Sequence, residues 1–346
     1  MKMGTMQRVG RLAGKGGRKS VSKQADVIQT RYGPIPRTEK PLLRKARLLQ
    51  GYYRQEELYQ PMGTGPTRTS KQLYCNMLAG GKGSGKNFLT PEIFEYAKFR
   101  CRDKRSVETI DEFRLFNNML SSQPMCFNLF VPLRLAVRRG KPFVDKVFRR
   151  VFPHLGIDRI INLEIEYIPV PVEEYINDKT AFDAFVEYRT SDGEKGCIGI
   201  ETKYVDALGK NDPRDLDRKL DVAKGLGCFT REGINLIKTE CPQIVRNFLL
   251  TEKYRMSHGY DHSNSIILGL KQDIESDTEI QKLKKILRPD FQSKITKISL
   301  EDFADTIREY IPSNDIEWIE NFQKRYLDMG TAERLVTTEL GSTVTG

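Results

Sequence analysis

Histidine is scarce in this 346-residue chain, with three copies, and tryptophan occurs once, at Trp318. So few imidazoles nearly exclude a histidine-rich metal centre. The six cysteines, Cys75, Cys101, Cys126, Cys197, Cys228 and Cys241, include no Cys-x-x-Cys pair. Neither a zinc ribbon nor a disulfide frame is expected from them, but buried thiols in a reducing compartment are. No apolar run approaches the roughly 18 residues of a membrane span, and no signal-like apolar stretch opens the chain. The expectation is a soluble, cytoplasmic protein without a membrane partner.

Charge is what the chain has in quantity, with 30% charged residues beside 38% hydrophobic ones. That length and balance suit one large domain or two of ordinary size. The formal net charge of +11 is local: residues 1–50 hold 13 Lys and Arg against Asp26 and Glu39, which is the whole excess. Residues 1–40, with GKGGRKS and RYGPIPRTEK, show no sustained apolar period and read as a flexible basic arm. Such an arm is either a phosphate-binding tail or a solvated terminus, and its Arg-rich, acid-poor start also resembles a mitochondrial transit peptide.

Apolar periodicity predicts helices over 41–59, 91–101, 107–121, 124–138 and 141–151. A strand follows over 160–168, with Glu164 and Glu166 on one face, and then a hairpin over 180–204. Residues 206–224 read as a lid loop plus helix, and 239–254 as a helix with Gln243, Arg246 and Asn247 on one face. Strands at 264–270 and 295–300, helices at 301–310 and 315–328, and a frayed polar end complete the pattern. The order is α-β-β-β-α-β, an α/β class with a mixed sheet flanked by helices.

Two stretches invite a phosphate. Gly80 to Asn87, GGKGSGKN, matches GxxxxGK[ST] except that Asn87 replaces the magnesium-binding hydroxyl. The upstream KQLYCNMLA does not read as a buried strand, so a flexible Gly/Lys loop is the expectation. Between Arg134 and Arg150, seven basic residues, among them Arg138, Arg139, Arg149 and Arg150, interleave with Leu135, Val137, Phe143, Val147 and Phe148. The basic face this leaves is either solvated or a nucleic-acid backbone contact. His258 and His262 flank Asp261 in what reads as a surface loop.

The hairpin carries the sharpest chemistry. Its turn, Asp192-Gly193, wants φ > 0 at both central positions, and pairing across it brings Asp183 towards Glu201. Strand alternation sets Glu201 and Lys203 on one face, against Ile198, Ile200 and Thr202 on the other. Two carboxylates and an ammonium on an otherwise apolar strand cost several kcal/mol, roughly, unless paired or metal-bound. A second acidic-x-Lys triplet, Asp217-Arg218-Lys219, lies in a charged helical run where i and i+2 diverge. The bland alternative for the first triplet is a cross-strand salt bridge.

In DKTAFDAFVEY and GCIGIETKY, preceded by SSQPMCFNLF and followed by PQIVRNFLL, the chain resembles the PD-(D/E)XK nuclease superfamily, specifically its bacterial restriction-endonuclease-like members. The resemblance covers roughly residues 87–270. It implies a restriction-endonuclease-like core at 123–310, with the basic arm at 1–40, a helical N-terminal region at 41–122 and a C-terminal helix and tail at 311–346. Phe182 replaces the proline of the motif. The resemblance implies that Asp183 and Glu201, with the Thr202 carbonyl, hold one or two Mg²⁺ ions, for which Mn²⁺ could substitute. Lys203 would orient the attacking water, and Gln243 and Arg246 would position the phosphate or the lysine. Many members add a glutamate from the first core helix, but 124–138 contains none. Either Glu166 substitutes, or the metal has fewer protein ligands. The implied function is a metal-dependent nuclease acting on DNA in restriction or phage defence. The alternative is a non-catalytic nucleic-acid-binding protein with the same fold. A second copy of the chain is a further candidate partner, as a homodimer.

Overall fold

The computed structural model describes residues 26–103, 110–206, 209 and 214–341. The first 25 residues of the expected arm and most of the expected lid loop lie outside the described residues.

Two short hairpins come first, β1 (Val27–Thr30) with β2 (Gly33–Pro36) and β3 (Met62–Thr64) with β4 (Leu73–Leu78). The first occupies residues assigned to the flexible arm, because Ile35 and Tyr32 find a small apolar cluster with Leu48, Cys75 and Leu335. That cluster also orders the expected frayed end, which forms helix Met329–Leu340. The second hairpin corrects the reading of KQLYCNMLA. It is a strand whose polar Asn76 is buried, its side chain receiving Arg47 and donating to Asn118 Oδ1 at 2.8 Å.

The main sheet has five strands in the order β5 (Ile157–Tyr167), β6 (Phe182–Thr190), β7 (Lys195–Thr202), β8 (His262–Gly269) and β9 (Ile295–Ser299). The first three run antiparallel and the last two add in parallel. β7 and β8 are buried along nearly their whole length, as central strands covered on both faces must be. One face packs on helices Ser122–Arg138, Phe143–Val151, Leu300–Tyr310 and Ile316–Tyr326 through Phe127, Val147, Phe303 and Phe322. The other packs on Leu216–Leu226, Gln243–Ser257 and Ile274–Ile286 through Val222, Phe248 and Leu283. Helix Ile274–Ile286 was not expected. Its start is set by Asp273, which accepts from Ser276 N at 3.2 Å, a side-chain cap worth about 1 kcal/mol.

The β6–β7 turn differs from the expectation in one respect. Only Gly193 takes positive φ, at 85°, while Gly193 N donates to Thr190 O and Thr190 N to Glu194 O, each at 3.0 Å. This is a three-residue loop ending in a left-handed glycine. The register it sets is the expected one.

β5 is an edge strand, and side chains occupy its free groups. Asp145 accepts from Ile160 N at 2.8 Å, Arg149 donates to Ile157 O and Asp158 O at 2.9 and 2.7 Å, and Arg100 donates to Ile165 O and Glu166 O. A second copy pairing on this edge would have to displace all three.

Candidate active site

The register alone lines up three carboxylates. Ala184 pairs with Ile200 across β6 and β7, so Asp183 and Glu201 face each other one step on. Ile165 pairs with Ala184 and Tyr167 with Phe182 across β5 and β6, which leaves Glu166 opposite Asp183. Glu166, Asp183 and Glu201 thus form a row across three neighbouring strands. Glu166 departs from strand geometry, with φ 52°. Left-handed backbone at a non-glycine residue is costly and concentrates at functional sites.

Glu201 is gripped on both oxygens. Its Oε1 lies 2.8 Å from Lys203 Nζ and accepts from Gln243 Nε2 at 2.7 Å, while Oε2 accepts from Asn247 Nδ2 at 2.8 Å. Gln243 and Asn247 stand one helical turn apart, so both amides reach the strand from one helix face. That helix can approach because residue 199 is glycine: a Cβ there would sit 2.5 Å from the Phe182 ring and 2.6 Å from Thr251 Oγ1. Gln243 Oε1 accepts from Lys203 Nζ at 3.3 Å and from Gly209 N at 2.6 Å. Asp183 Oδ2 accepts from Thr202 N and Thr202 Oγ1 at 2.7 and 2.8 Å. The Thr202 hydroxyl, expected on the far face, therefore serves Asp183.

Electrostatics follow from burial. Loss of water around Asp183, with Glu201 and Glu166 beside it, pushes its carboxyl well above the usual carboxylate range despite Lys203. Burial would lower the Lys203 ammonium, but the charge and hydrogen bond of Glu201, with Asp183 and Asp206, outweigh it and hold Lys203 above its ordinary pKa. Lys203 is thus a cation near neutral pH, and Asp183 binds a proton more tightly than an exposed aspartate.

These groups open into a cleft of about 580 Å³ lined by Gln123, Glu166, Asp183, Glu201, Lys203 and Gln243, with Asp206, Arg114, Lys179, Arg214 and Arg246 at its sides. Of the residues singled out from sequence, the structure brings Glu166, Asp183, Glu201, Lys203, Gln243 and Arg246 into this one cleft, with Thr202 buried behind it. It does not bring Arg138, Arg139, Arg149 or Arg150. Helix Ser122–Arg138 starts at the cleft, and its far end is about 24 Å away at 1.5 Å per residue. Arg138 instead pairs with Glu164 at 3.3 Å, Arg149 caps the edge strand, and Arg139 and Arg150 line separate surface cavities.

Sequence reasoning placed Asn247 on the face of Gln243 but gave it no role. It missed Gln123 altogether. Gln123 lies in the first turn of the first core helix, and its Nε2 donates to Glu166 Oε1 at 3.0 Å. The helix that lacks a glutamate therefore holds the glutamate of the neighbouring strand. Asp206 anchors the same corner, accepting from Ser122 N at 2.9 Å.

The other motifs resolve as structure. Gly80 to Asn87 follows β4 as a four-residue helical turn, and Asn87 is wholly buried, bonding Leu115 O at 2.8 Å. His262 bonds Glu194 at 2.7 Å, while His258 stacks on Tyr254 at 3.9 Å, so the two histidines do not share a site.

Among the described residues, no three His, Cys, Asp or Glu side chains converge as a ready-made metal cage. The donor set still suits a hard divalent cation of the magnesium type, which takes one or two carboxylates and keeps several waters. A desolvated Asp183 beside two more carboxylates is the electrostatic situation that such a cation relieves.

A sequence model of the PD-(D/E)XK nuclease superfamily matches residues 37–328. No curated protein and no solved structure gives a significant match. Among the described residues, no helix is long and apolar enough to cross a membrane.

Proposed function

The chain belongs to the PD-(D/E)XK nuclease superfamily, whose members generally use divalent metals, and from that premise we propose that it hydrolyses phosphodiester bonds of DNA with Mg²⁺ in this cleft. The observation that carries the reading is the row of Glu166, Asp183 and Glu201 with Lys203 beside it, facing one cleft. A restriction or phage-defence role follows the resemblance to restriction-endonuclease-like members.

Asp183 and Glu201, with the Thr202 carbonyl, would hold the ion, and Glu166, fixed by Gln123, would supply the acid that the helix lacks. When bound, the ion supplies an acidified water and neutralises charge gathering on the phosphate. Asp183 must lose its tightly held proton to serve as ligand, so metal affinity rises with pH. Lys203 remains protonated, donates to a phosphate oxygen and offsets the charge of the transition state. Gln243 holds both Glu201 and Lys203, which keeps ligand and ammonium at a fixed separation.

Incubation of plasmid and linear DNA with wild type, Asp183→Ala and Lys203→Ala, in Mg²⁺, Mn²⁺ and EDTA, tests this. Metal-dependent cutting by wild type and its loss in both folded variants is the expected result. Equal DNA binding by all three with no cutting of any substrate would instead make the protein a non-catalytic binder.

A further inference from the structure

Helix Pro91–Arg102 carries two neighbouring aromatic rings, Tyr96 and Phe99, with centroids 6.3 Å apart. Tyr96 is backed by Phe127 at 6.0 Å and faced by the Arg134 guanidinium at 4.9 Å. Phe99 is 45% exposed, the one phenylalanine among the large apolar side chains that the described residues leave on the surface. A single exposed ring is ordinary on a protein, but the place of this one is not. Both rings line a cavity of about 370 Å³ together with Arg100, Arg134, Glu164 and Glu166. Glu166 also lines the cleft, so the two spaces meet at one carboxylate. Arg100 ties them together, its Nη1 donating to Tyr96 OH at 3.4 Å and its Nη2 to Glu166 O at 3.2 Å. The rings are thereby held at a set distance from the row of carboxylates.

The two spaces differ in charge. The cleft gathers carboxylates that a cation relieves, whereas in the side cavity Glu164 is already matched. Its Oε2 accepts from Arg134 Nε at 2.9 Å, and its Oε1 from Arg134 Nη2 and Arg138 Nη2 at 3.2 and 3.3 Å. A matched ion pair beside aromatic rings suits neither a cation nor a phosphate. It suits a flat, uncharged group, and in a nucleic-acid strand the flat group next to a phosphate is a base.

We infer that Phe99, set on Tyr96, stacks an unpaired base of the strand whose phosphodiester lies over Glu166, Asp183 and Glu201. This rests on the nuclease reading of the cleft and adds to it the form of the substrate, a strand that is single at the cut. A base inside a duplex has both faces covered by its neighbours and reaches a protein ring only by leaving the stack. Aromatic side chains hold single strands in this way whatever their sequence, because every base has a π face.

The test is binding of a short labelled DNA strand, and of the same strand in a duplex, by fluorescence anisotropy in EDTA for wild type, Phe99→Ala and Phe99→Trp. Melting temperatures confirm that each variant is folded. Phe99→Ala should weaken single-strand binding about tenfold and duplex binding under about twofold, and Phe99→Trp should restore the single strand. An abasic residue is then moved stepwise along the strand. At one position it should cost wild type about tenfold and Phe99→Ala under about twofold, since ring and base act as a pair. If every abasic position costs the variant what it costs wild type, or if wild type binds only the duplex, Phe99 holds no unpaired base, although metal-dependent cutting by wild type would leave the nuclease reading standing. If wild type neither binds nor cuts DNA in either form, the nuclease reading fails and this inference with it.

Discussion

Arg325 and Lys203 are both cations removed from water, at 0% and 5% exposure, yet their surroundings differ in kind. Around Arg325 every partner is matched. Its Nη1 and Nη2 donate to Asn87 O and Asn87 Oδ1 at 2.9 and 2.5 Å, its Nε donates to Gln50 Oε1 at 3.3 Å, and its guanidinium lies over Tyr326 and Tyr53. Gln50 in turn reaches Tyr204 OH at 3.2 Å, and Asn128 joins Asn87 to Tyr326. Lys203, the residue before Tyr204, sits among carboxylates that repel one another. Of the six buried side-chain atoms without a hydrogen-bond partner among the described residues, three belong to Gln123, Arg246 and Asn247 around the cleft, and a fourth, Asp178 Oδ2, has an ion pair with Lys219 at 3.0 Å instead. The Arg325 knot contributes none. Satisfied polar burial specifies a fold, whereas unsatisfied polar burial beside it leaves capacity for ligand.

The comparison breaks most visibly at Arg325. Arg325→Met strands Asn87 Oδ1 and Gln50 Oε1 and leaves Asn87 O with Asn128 as its one remaining donor, and should cost about 3–5 kcal/mol of stability in a denaturant titration. The cutting rate per folded molecule should stay at the wild-type value. A rate loss larger than the loss of folded protein would mean that the knot belongs to the site.

The second prediction concerns pH. Because the folded-state pKa of Asp183 is raised, the native protein binds a proton that the unfolded chain releases above its ordinary pKa of 3.8. The sign is therefore negative: without metal, this group's contribution to stability falls as pH rises from 3.8 towards the folded pKa. Asp183→Asn keeps an acceptor for Thr202 but cannot ionise, so it should become more stable than wild type as pH rises. The gap should widen by at most about 1.4 kcal/mol per pH unit. Parallel unfolding curves from pH 4 to 8 would show that Asp183 is not strained by its neighbours.

The smallest effect is expected at Asn247. Asn247→Leu removes the donor to Glu201 Oε2 and leaves Lys203 and Gln243 in place. Mn²⁺ affinity, read by electron paramagnetic resonance on the folded variant, should weaken about tenfold, as losses of a ligand's hydrogen-bond partner do. Asn247→His, which can place a ring N–H near the lost donor, should recover most of it. Unchanged affinity in Asn247→Leu would leave the amide a packing role only.

Much of this was legible in the chain. The row of Asp183 and Glu201 followed from strand period and a turn signal, which fix register whatever the surroundings. The Arg134–Arg150 stripe was legible as amphipathic, but periodicity does not say which end of a helix meets the site, and the cleft lies at the other end. Gln123 and Lys219 could not be read, since what makes them matter is a partner far along the chain, Glu166 in one case and Asp178 in the other. The Gly80–Lys86 stretch, expected to be a flexible Gly/Lys loop, contains a short helical turn instead. Its glycines serve turns, with Gly80 and Gly85 left-handed at φ 69° and 68°, and Asn87 serves Arg325.

The contrast between the two buried cations is measured most directly by cutting of supercoiled DNA with wild type, Lys203→Ala and Arg325→Met, each normalised to its folded fraction, in Mg²⁺ and in EDTA. Product should form in Mg²⁺ with wild type and, at the same rate per folded molecule, with Arg325→Met, while Lys203→Ala should be slower by about 10²–10³-fold. Product in EDTA, or wild-type rates from Lys203→Ala, would contradict the account.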